Sequence, residues 1–65
     1  MLKVIYWQYR SRYVDEIESL NEIHSYEDKC FEGILYYDCT VDQNNIVVHA
    51  NNVSNYVVGE LYNFK

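Results

Sequence analysis

A chain of 65 residues can close only one hydrophobic core, and a thin one. Ordering each residue costs roughly 1.5 kcal/mol, and apolar burial at about 25 cal/mol per Å² only just offsets it. The fold must therefore use few elements and fill them with large side chains. Eleven residues are Tyr, Trp or Phe, and each buries a large area at low entropic cost. Eight of those eleven are tyrosines. So small a core cannot hide eight phenols and satisfy every hydroxyl. Several are expected at the surface, where tyrosine is a good interface anchor.

Residues 2–9 are β-branched and aromatic and read as a strand, with Leu2, Val4 and Tyr6 on one face and Ile5, Trp7 and Tyr9 on the other. Over residues 12–25 the period changes. Tyr13, Ile17, Leu20 and Ile23 or His24 recur at three-to-four spacing, which predicts an amphipathic helix with Ser11 or Asp15 at its start. Residues 30–41 alternate and predict a strand with Phe31, Leu35, Tyr37, Cys39 and Val41 facing the core and a bulge at Gly33. Residues 42–45 and 51–55 read as turns, and 46–50 and 56–63 as two further strands, with Gly59 at a bulge or close approach.

The expected fold is α+β: a single domain over residues 1–65, in β-α-β-β-β order, with one amphipathic helix packed on a mostly antiparallel four-stranded sheet. The sheet face opposite the helix would carry Ile34, Tyr36, Val58 and Tyr62 with nothing to cover it. That predicts a partner protein, or a homodimer formed through this face or an edge strand.

The net charge of −5 is unevenly spread. Residues 1–13 carry +3, residues 14–32 carry −6 and residues 33–65 carry −2. This balance argues against nucleic acid, which needs a basic footprint, and against an anionic membrane surface. It suits a basic protein partner. No stretch has the length of a membrane span, and the first residues lack the parts of a signal peptide, so a cytoplasmic location is expected, the host's if the chain is viral.

The groups that carry chemistry are sparse. Cys30 and Cys39 on one strand would lie about 30 Å apart and on opposite faces, so free thiols are expected. His24, Cys30, Cys39 and His49 are zinc-ligand types, but their spacing matches no compact zinc knuckle. A Cys/His pair such as Cys39 with His49 offers a nucleophile and a base across a hairpin, and no third group orients it. Tyr36, Tyr37 and Tyr62 could stack bases, yet Asp38 and Glu60 repel phosphates. No enzyme activity, metal or cofactor is expected.

Seven acids fall within residues 15–32, flanked by Tyr13 and Tyr26. Together with the tyrosines they make a set of candidate contact residues for a partner: Asp15, Glu18, Glu22, Tyr26, Tyr36, Asp38 and Tyr62. In general look — short, acidic and tyrosine-rich — the chain is similar to small phage-encoded proteins that bind and block a host enzyme. No motif carries that likeness, and it assigns no residue a role. The expected function is a protein-binding inhibitor or modulator that occludes a basic, nucleic-acid-binding type of site. The alternative is a homodimeric scaffold module.

Overall fold

The computed structural model describes residues 1–64. One helix packs on a four-stranded, wholly antiparallel sheet. The strands are β1 (Leu2–Gln8), β2 (Ser11–Ile17), β3 (Tyr36–Val41) and β4 (Val47–Ala50), in spatial order β2-β1-β3-β4. A 3-10 turn (Leu20–Glu22) leads into the helix α1 (Ile23–Phe31). The α+β class and the helix-on-sheet architecture stand as expected. The chain order is β-β-α-β-β, because the segment after the first strand turns back as a second strand and the helix begins later.

Tyr13 and Ile17 explain the displaced helix. Residues four apart share a face in a helix, and they share a face in a strand as well. Asp15, between them, faces the same way in the strand and accepts a hydrogen bond from the Tyr26 hydroxyl at 2.8 Å. β1 and β2 are joined by a two-residue turn, Tyr9-Arg10, with φ of 54° and 66°. Both values are left-handed, as a type I′ hairpin requires.

The helix starts where Glu22 reaches back, its carboxylate accepting from the backbone N–H of Glu18 (2.7 Å) and Ser19 (3.2 Å). It ends in a Schellman motif. Gly33, at φ 82°, donates to the Cys30 carbonyl, and Ile34 donates to that of Lys29. Gly33 thus stops a helix and does not bulge a strand. The helix lays Ile23, Tyr26 and Cys30 against Val4, Ile17, Leu35 and Tyr37, with Leu2 and Tyr6 beside them.

The other sheet face is not open. A second core joins Ile5, Cys39, Val41 and Val47 to Tyr62, with Ala50, Tyr56 and Phe64 packed around it. Its cover is residues 51–64, expected in part as a strand. They instead cross the sheet as a strap tied to the chain around the start of β4, through the isolated bridge of Ile46 with Leu61 and backbone bonds that join Glu60 and Gly59 to Val47. Tyr62 is held between Tyr56 and Phe64, with ring centroids 4.9 and 4.7 Å away. Arg12 donates to the Phe64 carbonyl and lies over the Trp7 and Phe64 rings.

A bulge in β3 reverses which of its residues face which core. Ile5 opposes Cys39 and Tyr6 opposes Tyr37, leaving Asp38 as the extra residue. Tyr37 therefore points to the helix, while Cys39 points to the strap.

Candidate functional site

The seven candidate contact residues do not form one surface. Tyr62 is buried, and its hydroxyl donates to Asp38 at 3.3 Å. Asp38 is itself buried at the bulge. Burial raises its carboxyl above the usual range, against hydrogen bonds from Trp7 and Tyr62 and the charge of Arg12. Asp15 and Tyr26 are bonded to each other beside the helix-side core, and burial together with Asp15 holds the Tyr26 phenol above its ordinary value. Glu22 is consumed in capping. Only Glu18 and Tyr36 stand exposed without such a task. Five of the seven thus act inside the molecule: the strap supplied the cover that the open-face reading lacked, and local hydrogen bonds took up the carboxylates.

The structure gathers other residues at the surface. The inward stripe of α1 is Ile23, Tyr26 and Cys30, and the next residue, Phe31, is turned away and 94% exposed. Glu27 lies one turn before it, Asp28 three residues before it, and Glu32 follows it, all exposed. Lys29 is the one base in the last turn. Carboxylates at this end oppose the helix dipole, at a cost of roughly 0.3–1 kcal/mol each. An uncovered ring and misplaced acids are what folding alone would remove.

Beside Phe31 lies an open hollow of about 250 Å³, lined by Glu27, Cys30, Tyr37, His49, Asn51 and Asn52 among others. β3 and β4 set its floor. The Tyr37 hydroxyl bonds Thr40 Oγ1 at 2.7 Å and His49 Nδ1 at 2.9 Å. Burial pushes this phenol up to about 12, with the Thr40 bond opposing. The other nitrogen of the imidazole, Nε2, lies 3.8 Å from Glu27 Oε2, and His24 approaches the same carboxylate at 3.7 Å. Asn51 is fixed by donating to the Tyr37 carbonyl at 2.8 Å. The rim is thus acidic and polar, its base phenolic, and one wall is the Phe31 ring.

The thiols part company. Both are free; Cys30 packs on the helix side of the sheet and Cys39 on the strap side. The sheet separates Cys39 from His49, which bonds Tyr37 on the helix side, so the considered nucleophile–base pair does not assemble. Burial, then Asp38, pushes the Cys39 thiol up to about 12, far from a reactive thiolate at neutral pH. Among the described residues, no three His, Cys, Asp or Glu side chains cluster to hold a metal ion. No described helix is long and apolar enough to cross a membrane.

Phe31 was missed because alternation placed it in a strand. The signal was present: Gly33 closing a helix two residues later puts Phe31 in the last turn, off the inward stripe. A comparison with known proteins finds no match, whether among family models, curated sequences or solved structures.

Proposed function

We propose that this is a small acidic protein-binding module that inhibits or modulates its partner by occluding a basic site, and that the end of α1 makes the contact. The observation that carries this reading is Phe31, fully exposed among Glu27, Asp28 and Glu32. An aromatic ring is a preferred anchor for a partner's apolar pocket. The carboxylates around it steer a basic surface into register and speed encounter. The hollow beside the ring suits a Lys or Arg from the partner, its stem along Phe31 and its charge near Glu27.

The test exploits the dipole cost. In the double variant Asp28→Lys/Glu32→Lys the helix end gains favourable charges, so thermal stability should hold or rise. Binding should be lost all the same. Immobilised wild-type protein, this variant, Phe31→Ala and a Glu60→Lys control would be exposed to bacterial cytoplasmic lysate at about 0.15 M salt, and retained proteins identified by mass spectrometry. The expected result is one partner held by wild type and control and lost from the other two. Equal retention by all four, or none by wild type, would sink the reading.

A further inference from the structure

The two edges of the sheet are treated differently. At the start of β4 the strap occupies the edge: Val47 donates to the Glu60 carbonyl at 2.8 Å and Gly59 donates to that of Val47 at 2.8 Å, and just before the strand Tyr62 donates to that of Asn45 at 2.8 Å. A bulge opposite the Thr40–Val41 step bends the strand as well. These are standard protections against edge-to-edge pairing. β2 has neither. It runs seven residues in unbroken register with β1 and is the outermost strand on its side, with no described strand beyond it.

The turn fixes which backbone groups face outward. A two-residue turn closes on a hydrogen-bonded pair, here Gln8 with Ser11. Bonded and non-bonded pairs then alternate along the ladder. Ser11, Tyr13, Asp15 and Ile17 bond inward to β1. Arg12, Val14 and Glu16 therefore present their N–H and C=O groups to the free edge.

We propose that β2 pairs antiparallel with β2 of a second copy, about a two-fold axis through Val14, to make one continuous eight-stranded sheet. In that register Val14 meets Val14, and each Arg12, which also donates to the Phe64 carbonyl of its own chain, meets Glu16 of the other copy. All three outward residues fall in hydrogen-bonded pairs. Arg12 and Glu16 lie on the same sheet face, opposite Trp7 and Lys3 of β1. Rows of alternating charge result, from Lys3 to Glu16 to the second copy's Arg12. On the helix side Tyr13 meets Asp15 of the second copy. A shift of two residues either way sets Arg12 or Glu16 against Val14 and leaves Glu16 facing Arg10 of the turn or Arg12 facing Glu18 beyond the strand, so only the central register forms both charge pairs within β2. An isologous pairing of this kind closes at two copies and leaves no new edge. This inference stands independently of the α1 reading, since β2 and Phe31 belong to different surfaces.

Sedimentation of the full chain at tens of micromolar should give twice the chain mass. Val14→Pro removes an outward N–H and spares the β1 ladder, so it should halve the mass and keep the circular dichroism of the fold. Glu16→Lys changes only an exposed side chain and should also give the chain mass, which keeps the test decisive if the proline variant does not fold. Val14→Cys should cross-link as a disulfide dimer under mild oxidation, because the two Cα atoms would lie about 5.5 Å apart. A wild-type monomer overturns the proposal. So does a dimer that survives both Val14→Pro and Glu16→Lys, or a Val14→Cys dimer that fails to cross-link.

Discussion

Asp38 shows how one inserted residue shapes this protein. The bulge turns it into the strap-side core, where Tyr62 donates to it. Burial raises its carboxyl above the ordinary value, more than the opposing Trp7, Tyr62 and Arg12 lower it. The folded protein therefore binds this proton more tightly than the unfolded chain does. Stability contributed by the group is fully present below the unfolded carboxylate pKa, and it is lost as pH rises through the raised folded value. Asp38→Asn keeps an acceptor for Tyr62 without the charge. We expect the variant to match or exceed wild-type stability at neutral pH, with its advantage shrinking as pH falls through the carboxylate range. Urea unfolding midpoints at several pH values would show it, and an advantage that grows on acidification would refute the assignment.

At the scale of elements, the β1–β2 hairpin carries a local conflict. Type I′ turns favour Asn-Gly or Asp-Gly, because both central residues need positive φ. Tyr9 and Arg10 occupy those positions here. Left-handed backbone costs a non-glycine residue roughly 1–2 kcal/mol. Replacing the pair by Asn-Gly should raise stability by about 1–2 kcal/mol, measurable as a higher urea midpoint with an unchanged slope. An unchanged or lowered midpoint would mean that Tyr9 or Arg10 makes compensating contacts.

The same conflict explains what could be read from the sequence. The strand read at 2–9, the turns at 42–45 and 51–55 and the short strand read at 46–50 were legible to within a residue, since composition and Asp/Asn chemistry agreed there. Asp42 shows why: its carboxylate accepts from Asn44 and Ile46, closing the turn within its own segment. The hairpin was not legible because its turn lacks the usual residues, and because Tyr13 and Ile17 fit both periods. Two of the candidate contacts, Tyr62 and Asp38, proved to be buried for a different reason. Whether Tyr62 and Asp38 face water or each other depends on a bulge and a strap, and neither has a local sequence signature. Gly33 was legible as a breaker, but reading it as a strand bulge hid the helix end that exposes Phe31.

In the whole molecule, smallness is met by layering. The strap gives one thin sheet two cores, and it relies on Tyr62, 3% exposed at the centre of its aromatic group. A buried aromatic cut to alanine costs about 3–5 kcal/mol. A domain of this length has a total stability of only about 3–10 kcal/mol. Tyr62→Ala should therefore leave the fold marginal or lost at 25 °C. Phe31→Ala, which removes an aromatic residue of similar size, should change stability by no more than about 0.5 kcal/mol, because its ring touches water already. Far-ultraviolet circular dichroism through a thermal ramp separates the two. If both variants melt together, Phe31 is structural and the proposed contact surface falls. If only Tyr62→Ala melts, the aromatic content has divided into residues that close the core and residues the fold can spare. Phe31 then remains at the surface at no benefit to folding, among carboxylates that oppose the helix dipole.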